Sequence, residues 1–293
     1  MTNYSEIFFN AFGDYGNYIW KQISFQVAWT DNYFWCLIIA SLFIWGLEVL
    51  FPWRKKQAIF RRDFWLDGFF MFFNFFIFNL IIFIAFSKLL GAYIEQQAGG
   101  SISNWAIVDI SILPNWVQLI VFFVVLDFVQ WLTHNLLHRV PFLWNFHKVH
   151  HSVQEMGFAA HLRYHWMETV IYNPAKYIGV MLIGGFAPEQ AYLVYMGTLI
   201  IGHLNHANLG WDYGPFKYIF NNPKMHIWHH AKAFPEKHPK GMNFAISLSI
   251  WDYLFGTVYV PKSGKDIELG FDEIEQYPTS FWQLITSGFR KSK

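Results

Sequence analysis

The chain has 293 residues, 54% hydrophobic and 22% aromatic but only 14% charged, against roughly 25% charged in an ordinary soluble domain. So much apolar material excludes a disordered or collagen-like chain. With 21 Lys and Arg against 20 Asp and Glu the formal net charge is +1, which offers no footprint for nucleic acid, and the single Cys36 rules out an internal disulfide.

Residues 1–32 carry Glu6, Asp14 and Asp31 with only Lys21 as a basic residue, unlike the basic start of a cleavable signal. Three apolar stretches follow, Tyr33–Phe51, Phe64–Phe86 and about Leu113–Thr133, each near the roughly 20 helical residues that cross a bilayer. Their polar interruptions, Glu48, Asp67, Asn74, Asn79 and Asp127, are costly in lipid and are expected to face other helices. A fourth apolar region, Val170–Leu204, is broken near Phe186-Ala187-Pro188-Glu189 and reads as two short helices forming a hairpin.

Orientation follows from the short loops, because Lys and Arg stay on the cytoplasmic side. Arg54, Lys55, Lys56, Arg61 and Arg62 separate the first two spans, whereas the loop Gly91–Pro114 has no Lys or Arg. The first loop is thus cytoplasmic, the third span ends on that side, and the hairpin begins and ends there. The expected fold is an all-α integral membrane protein with three long transmembrane helices, a short hairpin and a cytosolic helical cap. Its expected organisation is an N-terminal segment, 1–120, a core, 121–260, that includes the hairpin 170–204, and a cytosolic tail, 261–293.

Thirteen histidines give the chain its chemistry. His134 and His138 are four apart, His203 and His206 three apart, and His147, His150 and His151 repeat the His-x-x-His-His spacing of His226, His229 and His230. On a helix such spacings share one face. At a frequency of 13 in 293, His-x-x-His-His arises by chance about 0.025 times in such a chain, and twice on the order of three times in ten thousand. All ten fall on the cytoplasmic side, although histidine was not used to assign it. Imidazole-rich sites suit Zn, Cu, Fe or Ni, and ten ligands exceed what one ion holds, so two metal ions are expected.

These residues also carry a resemblance. Asp127-Phe128-Val129-Gln130-Trp131-Leu132-Thr133-His134 through His138-Arg139-Val140-Pro141, then Leu143-Trp144-Asn145-Phe146-His147-Lys148-Val149-His150-His151-Ser152, resembles the core of the fatty acid hydroxylase/sterol desaturase superfamily. The resemblance continues at Leu162-Arg163-Tyr164-His165, Asn205-His206-Ala207-Asn208, Met225-His226 to His230 and Trp251-Asp252-Tyr253-Leu254-Phe255-Gly256-Thr257, so it spans roughly residues 120–260. It implies a membrane-bound, non-haem di-iron oxygenase in which His134, His138, His147, His150, His151, His206, His226, His229 and His230 are the catalytic ligands. Zinc is a possible substitute for the two irons. Such enzymes use dioxygen and two electrons from a donor protein or reductase to hydroxylate or desaturate an unactivated carbon of a lipid. Two departures stand out: Asn243-Phe244-Ala245 replaces an Asn-aromatic-Gly sequence, and His203-x-x-His206 is one residue shorter than the usual pair. His206 is the ligand of that pair, while His203 is either a ligand at a distorted helix end or a group behind the ligands.

Further expectations concern the surroundings. Asp127, seven residues before His134 on the same helical face, is expected to accept the outer N–H of a ligating histidine. His165 is expected to contact a ligand or the substrate, His161 to lie on a polar face, Arg163 and Glu168 to form a local ion pair, and Trp251 and Asp252 to pack and cap. His238 reads as a solvated loop residue. The rival function is a metal transporter or sensor that uses the same histidines for binding alone, and a third reading is a scaffold that keeps the site for folding.

Overall fold

The computed structural model describes residues 3–79, 83–98, 106–186 and 188–289. Among these the fold is helical apart from one pair of two-residue strands. The N-terminal helix α1, Tyr4–Ile23, is capped by Asn3, whose side chain accepts from the Glu6 N–H. Helix α2, Tyr33–Leu50, is capped in the same way by Asn32 on Trp35. Helix α3, Phe64–Phe72, runs on into a π-helical segment, Phe73–Ile77. Helix α4, Ile84–Ala98, packs along α1. The expected second span, Phe64–Phe86, is therefore not one α-helix in its described part, and its residues 80–82 lie outside the described residues. Helix α4 also occupies the start of the expected loop Gly91–Pro114, of which residues 99–105 lie outside the described residues.

Strand β1, Val108–Asp109, precedes the longest helix, α5, Asn115–Arg139. Helix α6, Pro141–His151, starts on a proline, whose fixed φ and missing N–H suit a first turn. Helix α7, Trp166–Met181, strand β2, Ile183–Gly184, and helix α8, Pro188–His206, make up the expected hairpin, whose turn residue 187 lies outside the described residues. Strand β2 pairs in parallel with β1, Val108 opposite Ile183. Three short helices complete the chain: α9, Pro223–His229, α10, Ile250–Leu254, and α11, Phe281–Ser287. Helices α6, α7 and α8 all pack on α5, and α9 packs on α8, which brings the four histidine-bearing helices together.

Among the described residues two helices, α2 and α5, are long and apolar enough to cross a membrane. The burial of α5 suits lipid rather than water on its outer face. On α5, Trp116, Ile120, Leu132 and Leu136 are exposed, whereas Gln118, Asp127, Gln130, His134, Asn135 and His138 are buried. Lipid tolerates the former and penalises the latter, so α5 turns its polar stripe inward.

Several charged groups in the helical interior are paired. Glu48 Oε1 accepts the N–H groups of Phe158 and Asn208 at 2.8 and 2.7 Å. Asp67 pairs with Arg61 at 2.5 Å and with Arg163 at 3.2 Å, and Arg163 also reaches Asp63 at 2.9 Å. Arg163 therefore does not pair with Glu168. It precedes α7 and turns toward α3, whereas Glu168, in the first turn of α7, turns toward α6. The C-terminal segment closes over this core, with Leu284 fully buried and Phe281 against Phe70. His238 is 8% exposed and packs beside Tyr259, so it is a buried loop residue rather than a solvated one.

Candidate metal centre

Nine of the histidines gather into two buried groups. His134, His138, His147, His151 and His229 form one, and His150, His206, His226 and His230 the other. Within each group one ring nitrogen per residue lies within 4.8 Å of all the others. Helix geometry explains the division. Residues four apart share a face while neighbours diverge by about 100°. His147 and His151 thus enter the first group and His150 the second, whereas His226 and His230 enter the second and His229 the first.

The outer ring nitrogens fix what the inner ones are. His134 Nδ1 lies 2.7 Å from the Phe244 carbonyl, His229 Nδ1 2.8 Å from that of Met242, His150 Nδ1 3.2 Å from that of Arg163, and His206 Nδ1 2.7 Å from that of Gly202. His147 Nδ1 lies 2.9 Å from Glu168 Oε2. A carbonyl or carboxylate oxygen only accepts, so each of these imidazoles must donate from Nδ1. In a neutral ring the Nε2 atom is then a bare lone pair. Yet Nε2 of His134 faces Nε2 of His147 at 3.1 Å, and Nε2 of His206 faces that of His150 at 3.2 Å.

Two buried lone pairs at that separation repel unless a cation lies between them. Protonation does not relieve the contact: burial pushes the His147 imidazole down to about 3, and burial together with neighbouring imidazoles holds His150, His151, His226, His229 and His230 well below the ordinary range. His229 Nε2 is buried without any hydrogen-bond partner. The donor set therefore fits one transition-metal ion in each group.

The remaining expected residues sit elsewhere. His203 is in neither group: its Nε2 meets Ser41 Oγ at 3.1 Å and its Nδ1 meets His161 Nδ1 at 2.9 Å. Helix α8 is regular through its last turn, so a residue three before His206 points toward α2 instead of beside it. His161 is accordingly a buried partner of His203. His165 caps α7, its Nδ1 accepting from Met167 N at 3.1 Å, and stacks near Phe146, so it positions the turn that carries Glu168.

Asp127 hydrogen-bonds to no imidazole among the described residues. Its carboxylate accepts from Ser247 N, Leu248 N and Trp251 Nε1 at 3.0, 3.0 and 2.9 Å. Asp252 accepts from Trp131 Nε1, Phe244 N and Ala245 N at 3.0, 3.0 and 2.9 Å. The two carboxylates bind the segment that presents the carbonyls of Met242 and Phe244 to His229 and His134. Asp127 thus acts one layer further out than expected. The Ala245 N–H bond to Asp252 also settles the approach to α10 despite the departure from Asn-aromatic-Gly. Glu168 is the residue that touches an imidazole of these groups and that spacing missed; its signal was that it is the one acidic residue of α7.

Comparison with known proteins agrees with this geometry. The sequence profile of the fatty acid hydroxylase family matches residues 119–257. The chain is 33% identical over 159 residues to ornithine lipid hydroxylase OlsE of Rhizobium tropici, covering 54% of this chain and 46% of that protein. It is 27% identical over 197 residues to the alkylglycerol monooxygenase of Caenorhabditis elegans, covering 64% and 37%, and 28% identical over 180 residues to that of Homo sapiens, covering 57% and 38%. The matched stretches thus span less than half the length of each of these relatives. No solved structure gives a significant match. Residues 119–257, which contain both histidine groups, are thus similar to the fatty acid hydroxylase family.

Proposed function

We propose that the chain is a membrane-bound, non-haem di-iron oxygenase that hydroxylates an unactivated carbon of a lipid. The observation that carries this reading is the pair of facing, bare Nε2 atoms in each group, in a chain whose relatives are named as a lipid hydroxylase and monooxygenases. His134, His138, His147, His151 and His229 would hold one iron, and His150, His206, His226 and His230 the other. Iron, when bound there, supplies the redox chemistry that activates dioxygen.

The chain's own residues prepare the site for that chemistry. Four backbone carbonyls and Glu168 keep the rings neutral, with Nε2 directed inward. Burial of all nine rings keeps bulk water from a reactive centre. One oxygen atom enters a C–H bond as a hydroxyl and the other leaves as water, with two electrons and two protons drawn from a donor protein or reductase. Zinc binds such nitrogen sites more tightly than ferrous iron, so metal recovered on purification need not be the working metal.

In this reading α2, the α3 segment and α5 cross the bilayer, α7 and α8 enter and return, and the basic loop 51–63 places the histidines on the cytoplasmic side. The N-terminal segment 1–120, the core 121–260 and the tail 261–293 then form one enzyme. A transporter would hold its ligands near the bilayer midplane on an alternating route, whereas here they lie in the last turns of α5 and α8.

The test is turnover by iron-loaded protein in lipid nanodiscs. Labelled oxygen should appear in a lipid product only when both dioxygen and reductant are supplied. No product from sterol, fatty-acyl and ether-lipid substrates would refute the proposal, and metal flux lost in His150→Ala would favour transport.

A further inference from the structure

Beside the histidines lies a cavity of about 370 Å³. His134, His147, His150, His206 and His226 line one part of it, and α1 lines another through Tyr15, Tyr18 and Gln22. A slot for a bare alkyl chain needs only apolar walls. Here Asn74 Oδ1, Asn79 Oδ1, Asn205 Oδ1 and Glu168 Oε1, all on residues lining the cavity, are buried acceptors without a partner, against one unpartnered amide donor, Gln130 Nε2. The amide orientations are set by the structure. Asn74 Nδ2 donates to the carbonyls of Leu162 and Tyr164, Asn79 Nδ2 to that of Phe75, and Asn205 Nδ2 to that of Ile246. Asn74, Asn205 and Glu168 are only 1%, 2% and 4% exposed. Buried polar atoms left alone cost stability, and a group of them around one space marks a ligand that supplies the donors.

The same cavity holds a cation. On α7, Glu168, Thr169, Tyr172, Asn173 and Lys176 line it together, spaced as one helical face. Lys176 has no carboxylate within ion-pair distance among the described residues, and its ammonium lies 5.5 and 5.7 Å from the ring centres of Tyr172 and Tyr195. It stands eight residues from Glu168, about 12 Å along the helix. An ammonium facing a cavity in an apolar setting, offset only by the charge of Asp127 beyond ion-pair distance, calls for an anion.

We propose that this cavity takes the polar head of the lipid, an anionic group pairing with Lys176 and hydrogen-bond donors meeting the acceptor-rich wall. Oxygen is then inserted at a carbon held roughly 12 Å from the anion, the length of helix that separates Lys176 from Glu168. The regiochemistry rests on the oxygenase reading, but head-group binding does not. The anion is a carboxylate or a phosphate, and Lys176 is a positioning residue that sets specificity.

The test is equilibrium binding by calorimetry to the full chain in detergent micelles, which requires no turnover. N-dodecanoylglycine and dodecyl phosphate are compared with N-dodecanoylglycine methyl ester, which lacks the charge. The wild type should bind an anionic probe about tenfold or more tightly than the ester, and the tighter of the two anions identifies the source. Lys176→Gln should erase the difference and Lys176→Arg should keep it, with metal content unchanged in both. Equal binding of all three probes by the wild type, or a preference that survives Lys176→Gln, would overturn the proposal. Selective binding without any oxygenated product would sink the oxygenase reading alone.

Discussion

Replacing Glu168 distinguishes a metal centre from a cluster of buried imidazoles. Glu168 Oε2 accepts from His147 Nδ1 at 2.9 Å, in a side chain that is 4% exposed. A hydrogen bond to a charged acceptor contributes about 1.5–3 kcal/mol and a neutral one about 0.5–1.5 kcal/mol. Glu168→Gln keeps an acceptor of the same shape but loses the charge, a difference of about 1–1.5 kcal/mol, or about tenfold in metal affinity. Glu168→Ala removes the acceptor and frees the ring to rotate or change tautomer, which carries the loss toward about a hundredfold. The assay is titration of metal-free protein with zinc, redox-inert, against a competing chromophoric chelator. Two affinities are resolved, and only one should weaken, because His147 belongs to the five-histidine group alone. Unchanged affinities in Glu168→Ala, or equal weakening of both in a protein that remains folded, would refute the reasoning.

His203→Ala should retain two bound ions by elemental analysis, whereas His206→Ala should lose one; the reverse result would return His203 to the ligand set. Asp127→Ala strands two backbone N–H groups and the Trp251 indole at about 1–3 kcal/mol each, so chemical denaturation in detergent should show a loss of at least about 3 kcal/mol. A loss below about 1 kcal/mol would mean that water reaches those donors. Gly241 has φ +105°, and a Cβ there would lie 3.0 Å from His138 Nδ1, so Gly241→Ala should weaken metal binding at the five-histidine group. Gly214→Ala, at φ +56° with nothing within 4 Å, is the strain control and should leave metal affinity unchanged.

Much of the site was legible because helical spacing is local. His134 and His138, or His226 and His230, must share a face wherever their helices pack, and two His-x-x-His-His clusters are too rare to be chance. The acidic and amide interruptions of the apolar stretches were legible for a similar reason, since lipid gives them no partner. Spacing misled at His203, because three residues before His206 is near the same face yet turned far enough to meet Ser41 and His161. It misled at Asp127 because a shared face two turns away says nothing about which neighbour enters the gap; the segment 247–251, which leads into α10, fills it.

The sequence by itself determined that this is an apolar, helical chain with its histidines collected at one end of its long helices, because periodicity and hydropathy are properties of neighbouring residues. Only the tertiary structure decided that the rings divide into five and four, that Glu168 and not Asp127 meets one of those imidazoles, and that α1 lines the cavity containing Lys176. The reason is that four of the five atoms orienting the imidazoles are backbone carbonyls. Every residue carries one, so no residue type announces it, and its direction exists only once the distant segments have packed.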